Sequence, residues 1–314
     1  MKNPIENIQN EIPIFFSTDD NYIPYLDIAI ASLIENASKE YKYRIVVLNT
    51  GLKQEGIDKV KQNENECFKI DFVDISKEVE NIKNRFKNVY HFSVVTYYRL
   101  FIASLFPQYK KIVYIDCDLV VLGDISELYN TELGGNILAA TVEQFVQATE
   151  PFQLYAKEAI GVNPKTYINA GVLVIDLDQF RKNKIEEQFV HLITSYDFDV
   201  VDPDQAYLNY LCYKKILILP TGWNKEPLPT EPEGKLNIVH YALYKKPWQY
   251  DGVLYEEYFW RYAEKSPFYE DILAVKRNFS DEDRAKKEAS AVDIINETIR
   301  LAASDYTFAK KLKR

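Results

Sequence analysis

Two aspartates one residue apart, Asp116 and Asp118, close the apolar run Lys111-Ile112-Val113-Tyr114-Ile115. In an extended segment residues i and i+2 share a face, about 6.6 Å apart at roughly 3.3 Å per residue. Two carboxylates so placed repel each other unless a proton or a cation lies between them. Hard oxygen donors at this spacing suit Mg²⁺ or Mn²⁺ carrying a phosphate. His240 ends a second apolar run, residues 236–239, and its imidazole is the best candidate for a third ligand. The other histidines are His91 and His191. Lys246, after Lys245 and before Pro247-Trp248, offers a point charge to a diphosphate. Arg99 sits in an otherwise apolar helical stretch and must reach an anion or the surface. Asp19, Asn21 and Tyr22 follow the first apolar run. They suit a ribose or base, and equally a helix cap. Asn169-Ala170-Gly171 presents small residues that let a ligand approach or a neighbour pack. Asp204 and Gln205 open a helix, where they cap it or orient a polyhydroxylated substrate.

The elements that must position these groups follow from periodicity. Residues 12–17, 44–48 and 68–73 read as strands, with helical spacing over 25–34 and 53–65 between them. This β-α-β-α-β order predicts a parallel sheet with helices on its faces. Residues 94–106 read as one amphipathic helix leading into the Asp-x-Asp strand. Further on, 137–142, 170–176, 216–219 and 236–239 read as strands, and 177–195 as one helix. In open α/β sheets ligands gather at the carboxyl ends of strands, which is where Asp116, Asp118 and His240 fall.

Composition narrows the class. The 314 residues carry 38 Lys and Arg against 47 Asp and Glu, a net charge of −9 that argues against nucleic acid as a partner. Cys67, Cys117 and Cys212 are scattered, which predicts neither a disulfide framework nor a zinc site and fits a reducing cytosol. Residues 1–11 are polar and show no apolar signal core, and no apolar run reaches the ~18–20 residues of a membrane span.

Six short motifs occur in a telling order: Phe-Ser-Thr-Asp-Asp-Asn-Tyr (residues 16–22), Thr-Tyr-Tyr-Arg-Leu (96–100), Tyr-Ile-Asp-Cys-Asp (114–118), Tyr-Ile-Asn-Ala-Gly-Val (167–172), Asp-Pro-Asp-Gln (202–205) and His-Tyr with Lys-Pro-Trp (240–248). Over residues 12–265 the chain resembles the retaining family 8 glycosyltransferases, the bacterial galactosyl- and glucosyltransferases and their glycogenin relatives. The resemblance implies an α/β GT-A fold: a Rossmann-like mixed sheet flanked by helices. It implies a catalytic domain over 1–265 and a helical, charged extension over 266–314. It also implies transfer of glucose or galactose, with retention, from a UDP-sugar to a glycan, glycolipid or other hydroxyl acceptor, with Mn²⁺ or Mg²⁺ as cofactor. Carried over residue by residue, Asp116, Asp118 and His240 are implied metal ligands, and Asp19, Asn21 and Tyr22 uridine contacts. Thr18 and Cys117 join the donor-binding set. Arg99 and Asn169 are implied contacts to the donor sugar and its neighbouring carboxylates. Asp204 and Gln205 stand beside the anomeric carbon, and Lys246 at the diphosphate. Leu243 departs from the family, which commonly has Gly three residues after the histidine.

Retention by double displacement needs a carboxylate nucleophile, and Asp204 or Glu143 is on offer; front-face attack, steadied by Gln205, is the preferred expectation. Two other readings compete. Asp116-Cys117-Asp118-Leu119-Val120 also fits a haloacid-dehalogenase-type phosphohydrolase, although three βα units precede it. Leu243 alone supports a sugar-nucleotide-binding scaffold without turnover. The tail from about Phe268, ending in a basic segment, is expected to touch anionic lipid at the inner membrane face, to pack on the body, or to dimerise.

Overall fold

The computed structural model describes residues 11–80, 83–86 and 94–312. The polar N-terminal segment up to residue 10, His91, and residues 313–314 of the basic end lie outside the described residues. β1 (Glu11–Ser17), β2 (Lys42–Asn49) and β3 (Phe68–Asp74) run parallel, joined by α1 (Ile23–Asn36) and α2 (Gln54–Lys61). β1 is buried along its whole length, as a strand covered by helices on both faces must be. Its side chains divide by the two-residue pleat. Ile12, Ile14 and Phe16 enter one apolar cluster, and Phe15 enters the other.

α3 (Ser76–Val79), a 3₁₀ segment (Val94–Phe101) and α4 (Ile102–Leu105) precede β4 (Lys111–Ile115). The single amphipathic helix expected over 94–106 is therefore mostly 3₁₀. Its β-branched start, Val94-Val95-Thr96, has low α propensity, and Arg99 Nε closes back on Thr96 O at 2.9 Å. After β4 come β5 (Leu119–Val121), α5 (Ile125–Tyr129), β6 (Leu138–Thr141), α6 (Gln144–Ala148) and α7 (Glu150–Leu154), which winds into a π turn over Tyr155–Ile160. Then follow β7 (Val172–Asp176), α8 (Leu177–Lys182), α9 (Ile185–Ser195), α10 (Pro203–Leu211), β8 (Ile216–Leu219) and β9 (Ile238–His240).

The strands form a seven-stranded sheet in the order β3-β2-β1-β4-β7-β6-β8, and β5 pairs with β9 as a separate ribbon. β4 lies parallel to β1, while β7 runs antiparallel between β4 and β6. The sheet is thus mixed, and its strand order reverses at β1 and β4, where a crevice opens above their carboxyl ends. The expected helix over 177–195 breaks at Asn183-Lys184, with Lys184 at φ 53°. Asn183 Nδ2 donates to Gln179 O at 2.7 Å and Lys215 Nζ donates to Asn183 Oδ1 at 2.6 Å. The break lets Phe180 and Ile185 both reach the core.

α11 (Glu256–Ala263), α12 (Tyr269–Asn278), α13 (Asp281–Ala302) and α14 (Phe308–Lys311) complete the chain. A capping box at Ser280 and Asp283 starts α13. The tail packs on the body: Leu301 and Phe308 are buried in the same apolar cluster as Phe15 and Tyr155, and Arg300 pairs with Asp199 at 2.9 Å. Among the described residues no helix is long and apolar enough to cross a membrane.

Candidate active site

Backbone pairing brings the acidic pair and the histidine together. β4 ends at Ile115, so Asp116 leaves the sheet at the switch point, and Asp116 N donates to Gly171 O at 2.8 Å. Because β7 runs antiparallel, its first residues, not its last, lie at this end of β4. That places Asn169-Ala170-Gly171 beside Asp116. The β5–β9 ribbon sets Leu119 opposite His240, and Tyr241 N donates to Asp118 O at 2.9 Å.

Ligand atoms of Asp116, Asp118 and His240 lie within 4.8 Å of one another. His240 Nε2 is 3.1 Å from Asp118 Oδ1 and 4.0 Å from Asp116 Oδ2. On the other side of the ring, Nδ1 is 2.9 Å from Asn224 Oδ1, and Asn224 Nδ2 donates to Asn169 Oδ1 at 2.9 Å. With Asn224 fixed this way Nδ1 is the donor, and Nε2 faces the two carboxylates, as a donor to Asp118 when the ring is protonated and as an electron pair for a cation when it is not. Three electron-pair donors converging on one space call for a cation. The mixed N/O set suits Mn²⁺ or Mg²⁺. Gly171 makes room for the arrangement. A Cβ there would collide with His240 Cε1 and stand 2.9 Å from Asp116 Oδ2.

Basic groups flank the cluster on both sides. Lys246 Nζ lies 2.7 Å from Asp118 Oδ2 and also donates to Tyr241 O. Burial by itself would raise the Asp118 carboxyl; Lys246 and His240 overcome this and hold it far below the usual carboxylate range. Arg99 is buried, not snorkelling. It pairs with Asp116 at 2.7 Å and Asp204 at 3.0 Å, donates to Ala170 O, and lies over the Tyr114 ring at 4.2 Å. Burial works against its charge, but the two aspartates outweigh that and raise its pKa.

Gln205 is held at both ends of its amide. Nε2 donates to Asp202 Oδ2 at 3.0 Å, and Oε1 accepts from Ala170 N at 3.0 Å. Asp202 also accepts from Tyr155 and Tyr167. Burial pushes the Asp202 carboxyl up to about 7 against these hydrogen bonds. Glu143 is buried next to Glu226, and burial first, then that neighbour, raise its carboxyl well above the usual range. One oxygen of Glu143 accepts from Val146 N at the start of α6.

These groups share one cleft of about 520 Å³. Its lining includes Tyr22, Arg99, Asp116, Cys117, Asp118, Asn169, Asp204, Gln205, His240, Leu243 and Lys246. The remaining expected residues stand aside from it. Thr18 is buried behind β1 and Asn21 is exposed, while Asp19 Oδ1 accepts from Asn21 N at 2.9 Å and Tyr22 N at 3.1 Å, capping the turn into α1. Cys117 donates to Ser17 O at 3.2 Å, and burial raises its thiol out of the reactive range. Asn224 and Glu226 escaped the sequence reading, because each acts on a residue far along the chain and no local spacing marks it. Asp202 was read only as part of the Asp-Pro-Asp-Gln motif, with no role of its own, although it holds Gln205 three residues on.

The model of the glycosyl transferase family 8 matches residues 13–252. A putative glycosyltransferase of Haemophilus influenzae is 26% identical over 226 residues, covering 72% of this chain and 67% of the relative. Among solved structures, the galactosyltransferase LgtC in complex with donor and acceptor sugar analogs is 25% identical with a TM-score of 0.67. The match covers 82% of this chain and 96% of LgtC. The bifunctional glycosyltransferase WbbM superposes with a TM-score of 0.74 at 24% identity. It matches 88% of this chain, which spans about half of that enzyme's length, 53%.

Proposed function

Since the chain belongs to glycosyltransferase family 8, and so is a sugar-transferring enzyme with a GT-A fold, we propose that it moves glucose or galactose from a UDP-sugar to a hydroxyl of a glycan or glycolipid, with retention and with a divalent metal. The observation that carries this reading is the Asp116–Asp118–His240 cluster at the sheet's switch point, 2.7 Å from a buried lysine and within one cleft with Asp204 and Gln205. The family match, not the cluster itself, sets aside the phosphohydrolase reading of Asp116.

Asp116, Asp118 and His240 would hold Mn²⁺ or Mg²⁺, which when bound supplies positive charge to the leaving diphosphate. Lys246 adds a second positive charge from the other side of Asp118. Arg99 bridges Asp116 and Asp204, so each carboxylate is held in place by the same guanidinium. The fixed amide of Gln205 presents a steady dipole to the electron-poor sugar carbon. Glu143, whose carboxyl is pushed up by burial and by Glu226 and is turned to the α6 backbone, is a poor nucleophile. Asp204 is ion-paired with Arg99. The chemistry therefore favours front-face attack. The acceptor oxygen bonds to the anomeric carbon as the carbon–phosphate-oxygen bond breaks on the same face, and the hydroxyl proton passes to the departing phosphate oxygen. The enzyme works in the cytosol, in keeping with its free cysteines.

Incubation with UDP-glucose, UDP-galactose and their N-acetyl forms in Mn²⁺ tests the proposal. UDP release that is lost in Asp118→Ala and in chelator supports it; no release from any donor overturns it. A covalent glycosyl adduct trapped on Asp204 or Glu143 would sink front-face attack alone. Leu243, whose side chain lines the cleft, favours a second reading: donor binding without turnover. UDP bound tightly with no release from any UDP-sugar is its signature.

A further inference from the structure

We propose that the acceptor carries an apolar, uncharged aglycone, which lies against a wall of the cleft supplied by the tail helix α13. This rests on the transferase reading above and goes on to name the acceptor's chemistry. The cleft has two kinds of lining. Around the end of β4 it is polar and charged. Toward α6, α7 and α13 it is apolar. Phe145 and Phe152 meet edge-on there, with ring centroids 5.1 Å apart. α13, which packs against α7, adds Ala291, Val292 and Ile295 to this lining, with Glu288 one turn earlier. These positions are three and four residues apart, so they form one stripe of the helix.

The stripe is held firmly. Leu301 is buried, Ile294 packs on the apolar core, and Lys287 Nζ donates to Gln249 Oε1 at 2.6 Å on the loop that carries Lys246. Yet Val292 remains 56% exposed on a helix otherwise rich in charge. An anchored helix that leaves a branched apolar side chain open to a substrate cleft marks a contact surface. The chemistry of the occupant follows from what the wall lacks. Of the side chains lining this wall, Glu288 carries a carboxylate and Glu143 at the start of α6 is turned to the backbone, so a sugar ring placed there would lose hydrogen bonds to water without full replacement. An alkyl chain loses none and gains the burial of each methylene. The reacting sugar therefore sits on the polar side, and the group attached to it runs along α13.

The test measures dissociation constants of methyl and n-octyl β-glucoside and β-galactoside, below the micelle concentration, on the enzyme loaded with UDP and Mn²⁺. The octyl glycosides are expected to bind at least tenfold tighter than their methyl counterparts. In Val292→Asp, at a position that tolerates a polar group, that ratio should fall toward one. Equal or absent binding of the two chain lengths to the wild type overturns the proposal, and so does an undiminished ratio in Val292→Asp. UDP release from UDP-sugars, measured on the same preparation, reports separately on the transferase reading. Octyl-selective binding without any UDP release would leave the apolar subsite standing and the proposed function fallen.

Discussion

Gly171 is where one missing atom decides the site. Gly171→Ala must push His240 or Asp116 out of register, because the added carbon has no free space. We expect Mn²⁺ affinity to fall about tenfold or more, a loss of the size seen when a metal ligand's support is disturbed; titration of Mn²⁺ against UDP-dependent binding measures it. Wild-type affinity in this variant would contradict the geometry. Glu143→Gln makes the opposite test. Burial and the neighbouring Glu226 favour the protonated form, which is close in shape and charge to an amide, so the variant should keep most of its activity. A loss of about 10³-fold or more in kcat, the scale of a lost nucleophile, would return Glu143 to the chemistry. Single residues were also the most legible level of the sequence. Asp116, Asp118, His240 and Lys246 stand at the ends of apolar runs, and apolar runs are read directly. Arg99 was legible only as an arginine that must reach an anion or the surface, because its partners, Asp116 and Asp204, come from other elements.

At the scale of elements, the two-stranded β5–β9 ribbon fixes His240, the proposed third ligand. Its hydrogen bonds set His240 in height, and Asn224 sets the turn of the ring. Asn224→Ala should lower metal affinity by about ten- to a hundredfold while leaving the fold intact, and calorimetry with Mn²⁺ would read it. Unchanged affinity would mean that the ribbon alone orients the imidazole. The tail behaves as part of the body. Phe308 stacks near Phe198 at 4.5 Å and is buried, so Phe308→Ala should cost about 3–5 kcal/mol in urea unfolding. A cost under about 1 kcal/mol would show a tail that merely rests on the surface. Strand order in the first half was legible because β1, β4 and the second half of β2 are apolar runs and β3 alternates apolar with polar residues. The break between α8 and α9 was not, since it depends on Lys215 reaching Asn183 from a distant strand connection. The direction of β7 was equally hidden, because nothing in an apolar run tells parallel from antiparallel.

For the molecule as a whole, pH dependence follows from carboxyls buried without enough counter-charge. Asp202 keeps its proton up to about 7 in the folded chain, whereas an unfolded chain releases it near ~3.9. The folded state then holds more protons between those values. The stability from this group is full below about 4 and is lost as pH rises through 7. Glu143 acts in the same sense, while Asp118, held low by Lys246 and His240, acts in the other. Asp202→Asn should therefore flatten the fall in melting temperature between pH 4 and 7 relative to wild type, the span over which the Asp202 shift amounts to roughly 4 kcal/mol. Parallel pH profiles in the two proteins would refute this. The aromatic column beside the cleft has an optical consequence. Tyr22 meets Tyr25 edge-on, Tyr25 stacks on Trp248 at 3.8 Å, and Trp248 lies two residues from Lys246. A donor gripped by Lys246 disturbs the indole's surroundings, so the chain carries its own fluorescent gauge: emission from Trp248 should shift as UDP is titrated in, and stay still in Trp248→Phe.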